Sequence, residues 1–386
     1  MARPPFVWLK LDAVMSAATV GITFKVTPAA RRMAAADRDR ILANPGFGLV
    51  FSEHMALARW DRSRGWHDAE VRPYGPISMD PGTSVLHYAQ AVFEGLKAYR
   101  QQDGRIAVFR PEANARRFQR SARRLALPEL PEAAFVDAID LVVSLDAGWV
   151  PAEPEHSLYL RPYMYASEVN LSVHPSDEVT FVLIASPSGS YFPTGVKPVT
   201  VWLSQDFSRA APGGTGEAKT GGNYAGSLLA QAQAAEQGCD QVVWLDAIEH
   251  RWVEEMGGMN LFFVFGSGAK ARLMTPGLTG TLLPGVTRDA LLTLGKDLGY
   301  EVEEGRISVE QWQAGCADGS LTEVFACGTA AVITPVGAAK SARGSWTISQ
   351  GKPGAVTMRL REALVNIQRG AAPDAHGWMH AVPVAR

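Results

Sequence analysis

The segment Gly213-Gly-Thr-Gly-Glu-Ala-Lys219-Thr-Gly-Gly-Asn-Tyr224-Ala225 sets one lysine among glycines. Two chemistries fit such a loop. The first is a phosphate-cradling P-loop, in which Gly213 opens the motif and Lys219-Thr220 closes it. Against it, Ala218 stands where the second glycine is required, and Gly221-Gly222 follows where a helix should begin. The second is a Schiff-base lysine. Its amine must approach an aldehyde closely, and flanking glycines remove the side chains that would crowd it. That amine must also shed its proton, which desolvation or a neighbouring cation promotes. The loop's own spacing leaves both readings, and a plain exposed lysine, open.

Further stretches carry chemistry. In Val253-Glu254-Glu255-Met256-Gly-Gly-Met-Asn260-Leu-Phe-Phe263 two carboxylates sit inside an apolar strand run. Strand alternation turns them to opposite faces, so one is expected to be buried and the other solvated. A buried carboxylate needs a cationic partner, and a pyridinium nitrogen would serve. Leu283-Pro-Gly-Val286-Thr287-Arg288-Asp289 turns from loop into helix, and a helix N-terminus offers free N–H groups to a phosphate. Phe325-Ala-Cys-Gly328-Thr329-Ala330-Ala331 ends a strand on amides and a hydroxyl that suit an anion. The helix expected over 111–127 carries Arg116, Arg117, Arg120, Arg123 and Arg124. With a net charge of -2 this is read as a solvated face, not a nucleic-acid surface, from which one arginine can turn inward to an anion.

The remaining numbers describe an ordinary globular chain. Of 386 residues, 47% are hydrophobic and 20% charged, enough for two sizeable cores. The cysteines Cys239, Cys316 and Cys327 are too few and too scattered for a disulfide framework or a metal site, and they suit a reducing, cytoplasmic compartment. No run of about 18 apolar residues is present, so no membrane span is expected. The first residues read as a loose extension.

Helices are expected over 27–45, 111–127, 135–145, 224–237, 285–298 and 355–369. Strands are expected at 96–100 and 105–110, joined as a hairpin across Asp103-Gly104, and at 158–163, 179–185, 199–203, 241–245, 252–256, 260–265, 321–327 and 332–336. A Pro-, Gly- and Ser-rich stretch near 186–198 reads as a linker. The class expected is α+β in two domains, with the site between them.

An ordered series of motifs points to a family. It runs His87-Tyr88-x4-Phe93-Glu94-Gly95-x-Lys97-Ala98-Tyr99, Asn114-x2-Arg117, Leu158-Tyr159-Leu160-Arg161-Pro162, Lys219-x-Gly-Gly-Asn223-Tyr224, Glu255-x3-Met259-Asn260-Leu261-Phe262, Leu283-Pro284-Gly285-Val286-Thr287-Arg288 and Gly328-Thr329-Ala330. Together, over Pro45 to Arg369, these resemble the branched-chain aminotransferases, class IV enzymes of the pyridoxal-phosphate fold type IV. The resemblance implies a small N-terminal α/β domain and a larger C-terminal domain with a barrel-like sheet. It sets a loose extension at 1–25, the small domain at 26–187, an interdomain loop at 188–198 and the pyridoxal 5'-phosphate domain at 199–386.

It also implies roles. Lys219 is the Schiff-base and proton-shuttling residue. Glu255 meets the pyridine nitrogen and Tyr224 the ring hydroxyl. Arg117, the backbone of Val286 and Thr287, and Thr329 hold the phosphate. Tyr88, Phe93, Tyr159, Arg161, Tyr191 and the backbone of Thr329 and Ala330 form the substrate site. The implied substrates are leucine, isoleucine, valine and 2-oxoglutarate, with a D-amino-acid transaminase or an aminodeoxychorismate lyase as the alternatives on the same fold; the implied assembly is a homodimer, and no metal is expected. One departure is Gly258, where some relatives place a hydroxyl residue near the ring.

Overall fold

The computed structural model describes residues 22–190 and 195–384. Two nine-stranded sheets dominate it. The first half of the chain supplies β1 (Lys25–Val26), α1 (Ala35–Ala43), β2 (His54–Asp61), β3 (Gly65–Pro73), α2 (Val85–Tyr88), β4 (Ala91–Phe93), β5 (Leu96–Arg100), β6 (Ile106–Phe109), α3 (Pro111–Arg124), α4 (Glu132–Leu145), β7 (Ser157–Ala166) and β8 (Glu178–Ser188). Its strands run in the order β1-β3-β2-β8-β7-β5-β6, with β4 beside β7.

Alternation decides which face of this sheet is covered. Along β2 and β8, Ala56, Ala58, Phe181, Leu183 and Ala185 pack with Phe118 of α3 and with Phe135, Ile139 and Val142 of α4. The residues between them, Met55, Leu57 and Val182, form a separate cluster on the other face. That is the period of two a sheet with two packed faces requires.

The second half supplies β9 (Val199–Leu203), α5 (Gly221–Ala225), α6 (Leu228–Glu236), β10 (Gln241–Leu245), β11 (Val253–Met256), β12 (Met259–Phe265), β13 (Arg272–Pro276), α7 (Val286–Asp297), β14 (Glu301–Gly305), α8 (Val309–Asp318), β15 (Leu321–Gly328), β16 (Val332–Ser341), β17 (Gly344–Thr347), α9 (Ala355–Gln368) and β18 (Met379–Ala381). The order β11-β10-β9-β16-β15-β12 closes on itself, because β12 also pairs with β11, and this makes a six-stranded barrel. Closure removes the free edges that an open sheet would expose. Strand β12 is buried on both faces: Leu261 and Phe263 join one cluster, Phe262 and Val264 the other. Its Phe262 stacks on Phe325 of β15, which lies opposite it in register, with ring centroids 5.1 Å apart.

Strands β9 and β10 run parallel, so the chain must cross over between them. That crossover carries the Lys219 loop, α5 and α6. The final strand, β18, returns to pair with β6 of the first sheet.

Several expectations are corrected. The helix expected over 27–45 shrinks to α1, because tertiary bonds claim its first residues. The Thr27 amide donates to Val71 O, and the Ala29 amide donates to His54 Nε2 at 2.9 Å. The helix expected over 224–237 divides into α5 and α6 at Gly226-Ser227, where Ser227 Oγ donates to Tyr224 O at 2.6 Å. Strand β16 extends to Ser341, beyond the expected Val336, and pairs with both β15 and β9. Most of the extension expected at 1–25 lies outside the described residues, but Lys25–Val26 is a strand on β3. Among the described residues no helix is long and apolar enough to cross a membrane.

Candidate active site

The two sheets meet along a seam that holds the chemistry-bearing residues. The Phe93 amide donates to Lys219 O at 3.0 Å, Thr329 Oγ1 to Gly95 O at 3.0 Å and Lys97 Nζ to Ala330 O at 2.7 Å. Each of these bonds joins the first half of the chain to the second.

Lys219 is half-buried at the centre. Its Nζ donates to Tyr224 Oη at 2.8 Å and lies 4.8 Å from the centroid of the Phe93 ring. Its backbone amide donates to Ser121 Oγ at 2.9 Å, so it does not cradle an anion. Helix α5 does begin at Gly221, directly after Thr220, so the expectation that no helix follows the lysine is wrong. What removes the P-loop reading is the amine itself, aimed at a tyrosine and an aromatic face, together with an amide already taken by Ser121.

Glu255, on β11, is 1% exposed. Its Oε1 accepts from the Leu283 amide at 2.8 Å and from Asn260 Nδ2 at 3.1 Å. Burial pushes its carboxyl up, while Arg209 and the Leu283 amide oppose that. Glu254 also corrects an expectation: it is not solvated but 8% exposed, and its carboxylate accepts from Thr281 Oγ1. The alternation is real, but the opposite face of this barrel strand is covered too.

The start of α7 lies at the same seam. The N-cap is Gly285 and no side chain caps the helix, so its first-turn amides are left to other partners. Arg117 is the one inward-turned arginine of α3; Arg116, Arg120, Arg123 and Arg124 are exposed. It holds Glu94 in two parallel bonds of 2.7 Å and donates from Nη1 to Pro284 O at 3.3 Å. Thr329 stands at the end of β15, with its hydroxyl directed to Gly95 O.

The expected substrate residues separate into two groups. Phe93, Tyr159 and Arg161 are together: Arg161 Nη2 donates to Tyr159 Oη at 3.1 Å, and its guanidinium lies 4.9 Å from the Phe93 centroid. Tyr159 leans on Gly95, where a Cβ would meet its Oη at 2.0 Å. Phe47, which sequence reasoning missed, meets the Tyr159 ring edge-on, with centroids 5.1 Å apart. Ala330 sits beside Lys97, also missed. Tyr88 is apart: it is 41% exposed and its hydroxyl donates to Leu171 O. Tyr191 lies outside the described residues.

The sequence model of the amino-transferase class IV family matches residues 91–339. The chain belongs to the class IV aminotransferases. Curated relatives span nearly its whole length. A probable branched-chain-amino-acid aminotransferase of Streptomyces coelicolor is 60% identical, over 93% of this chain and 99% of the relative. The branched-chain-amino-acid aminotransferase of Mycolicibacterium smegmatis is 62% identical, over 89% and 93%. Among solved structures, the Escherichia coli branched-chain amino acid aminotransferase matches with a TM-score of 0.71 at 28% identity, over 86% of this chain and all of that one. The T.th. branched-chain amino acid aminotransferase, solved with pyridoxamine 5'-phosphate, matches with a TM-score of 0.70 at 29% identity, over 85% and 99%.

Class IV aminotransferases use pyridoxal 5'-phosphate. The residues present fit that group on a test internal to the structure. Glu255 Oε2 is buried and accepts no hydrogen bond, although Arg209 Nε lies 2.9 Å away in an off-axis ion pair. An orphaned carboxylate oxygen is what a pyridinium N–H needs. Among the described residues no group of side chains is placed to hold a metal ion.

Proposed function

We propose that the chain is a branched-chain-amino-acid transaminase, moving an amino group between L-leucine, L-isoleucine or L-valine and 2-oxoglutarate. The observation that carries the reading is the Lys219 amine, donating to Tyr224 Oη at 2.8 Å beside the wall of Phe93, Tyr159 and Arg161. The naming of the relatives supports the substrate choice.

On this reading Lys219 is the catalytic amine. Tyr224 Oη, as acceptor, keeps Nζ directed into the site. Glu255 meets the ring nitrogen and Tyr224 the ring hydroxyl, while Arg117, the Val286 and Thr287 amides and Thr329 hold the phosphate. When bound, pyridoxal phosphate supplies the aldehyde that captures the amino group and the ring that accepts the electron pair left at Cα. Lys219 Nζ takes the Cα proton of the amino acid. Phe93 gives the branched side chain an apolar wall and excludes water from it, and the hydrogen-bonded Tyr159/Arg161 pair meets the far carboxylate of 2-oxoglutarate. The backbone at Thr329 and Ala330 receives the α-carboxylate, and Tyr88 and Tyr191 complete the pocket. A methylene is worth only about 1–3 kcal/mol of discrimination, so leucine, isoleucine and valine are all accepted.

The reading extends to organisation. The small domain is 26–187, the connection 188–198 and the cofactor domain 199–386, whose last strand β18 crosses back onto the small-domain sheet, in a cytoplasmic enzyme. The exposed apolar side chains Leu86, Val169, Leu171 and Val173 support a homodimer. Incubation with L-leucine, L-isoleucine, L-valine or D-alanine, each with 2-oxoglutarate, tests the reaction. Branched-chain keto acids and glutamate are expected. Product from D-alanine alone would overturn the substrate reading.

A further inference from the structure

Glu255 presents its two oxygens to different kinds of neighbour. Oε1 is held by two neutral donors, the Leu283 amide and Asn260 Nδ2. Asn260 is itself fixed, since Nδ2 also donates to Leu283 O at 3.0 Å. Oε2 faces Arg209 Nε at 2.9 Å without receiving a hydrogen bond from it. The terminal nitrogens of that guanidinium are committed elsewhere: Nη1 donates to Thr281 O at 2.9 Å and Gly216 O at 3.3 Å, and Nη2 to Gly216 O at 3.2 Å. These carbonyls come from the Lys219 loop and from the loop ahead of α7. Arg209, with a side chain only 6% exposed, thus brings a full charge to Oε2 and leaves that oxygen's lone pair open.

In a dry site, a carboxylate opposite a pyridine nitrogen has two forms available. One is a carboxylate with a protonated ring; the other is a carboxylic acid with a bare nitrogen. Burial alone favours the neutral form. A fixed cation in contact with the carboxylate opposes that, because it attracts the adjacent oxygen more than it repels a more distant cation. The other groups around Glu255 do not replace it. Glu254 opposes ionisation, Lys219 assists it more weakly than Arg209, and Cys327 is a buried neutral thiol.

We propose that Arg209 is a positioning residue of the transamination chemistry: its guanidinium holds Glu255 ionised with Oε2 open, so that the shared proton rests on the ring nitrogen. The proposal rests on the reading of Glu255 as the ring-nitrogen partner. It deepens that reading by naming the charge that makes the carboxylate effective.

The test compares wild type, Arg209→Gln, Arg209→Lys and Glu255→Gln. Holoenzymes carrying pyridoxal phosphate labelled with ¹⁵N at the ring give a nitrogen shift that reports ring protonation. Infrared difference spectra of the apoenzymes, with Glu255→Gln as reference, report whether Glu255 is ionised. Wild type and Arg209→Lys are expected to show a protonated ring and an ionised Glu255. Arg209→Gln is expected to show a bare ring nitrogen, as Glu255→Gln does, with kcat lowered about ten- to a hundredfold and KM nearly unchanged. If Arg209→Gln keeps the ring protonated while Glu255→Gln loses it, the proposal falls and the Glu255 reading stands. If Glu255→Gln also keeps the proton, both fall. If Arg209→Lys behaves like Arg209→Gln, the bonds to Gly216 and Thr281 matter and the charge does not, which also overturns the proposal. Should Arg209→Gln fail to fold, the wild-type apoenzyme decides. A protonated Glu255 at neutral pH overturns the proposal, and an ionised one supports it.

Discussion

Replacing Gly95 with alanine displaces Tyr159 without touching Lys219. The new Cβ would stand 2.0 Å from Tyr159 Oη and 2.9 Å from Cζ, so reaching an ordinary 3.4 Å contact requires the hydroxyl to retreat by about 1.4 Å. Gly95 does not occupy the left-handed region, so the backbone accepts alanine and the effect is steric alone. Tyr159 Oη accepts from Arg161 Nη2 at 3.1 Å, and a retreat of that size removes the bond. A hydrogen bond to a charged group is worth about 1.5–3 kcal/mol, and the partial exposure of this pair selects the low end. About 1.4 kcal/mol is tenfold in affinity. Because Arg161 is read as the 2-oxoglutarate carboxylate partner, the variant is expected to raise KM for 2-oxoglutarate about tenfold and to change the leucine half-reaction by less than about threefold. Single-turnover kinetics, following each half-reaction through the cofactor absorbance, measures both. An equal loss for both substrates, or no change in either, would refute the assignment of Tyr159 and Arg161 to the dicarboxylate.

Glu94→Gln leaves the buried Arg117 guanidinium without its countercharge, which is expected to cost about 3–5 kcal/mol in denaturant unfolding of the apoenzyme. Pyridoxal phosphate should restore part of that loss if Arg117 faces the phosphate; an unchanged gap on adding it would argue otherwise. Glu323→Ala removes a carboxylate that accepts from the Val356 and Thr357 amides and from Thr357 Oγ1 at the start of α9, and should destabilise the fold by about 3 kcal/mol with little effect on kcat. Lys97 is pushed down from the usual 10.5 to about 8, chiefly by burial. Between these values the unfolded chain binds more protons than the folded one, so wild-type stability relative to Lys97→Met should rise with pH from about 8 to 10.5. Urea melts of both proteins across that window check the slope, and a flat difference would mean that Lys97 is not desolvated.

Several local signals in the sequence are followed by the structure. Pro111 opens α3, and Asp103-Gly104 turns the β5–β6 hairpin. The glycine-flanked lysine, the strand carboxylate Glu255 and the Gly285-Val286 helix start were each visible in the chain, and the fold brings them to one seam. What was illegible depends on distant partners. Thr27-Pro28 has the look of a helix start, but β3 and His54 take those residues instead. The alternation rule predicted one solvated carboxylate because it treats a strand as half-exposed, whereas β11 is covered on both faces. The break at Gly226-Ser227 goes with the Ser227 hydroxyl donating to Tyr224 O, which propensity does not register. Short charged β14 offered no periodicity to read. Arg209 was missed because its carbonyl partners leave no mark in sequence and Glu255 lies far along the chain. Helix α8 could have been found, since Ser308 and Gln311 form a capping box with the S-x-x-Q signature.

The central claim is that Lys219 Nζ is the group that captures the cofactor. Borohydride reduction of the enzyme with pyridoxal phosphate, followed by peptide mass mapping, tests it most directly. The account predicts one reduced cofactor per chain, attached to Lys219 and absent from Lys219→Ala. A label on another lysine, or none in the wild-type enzyme, would contradict it.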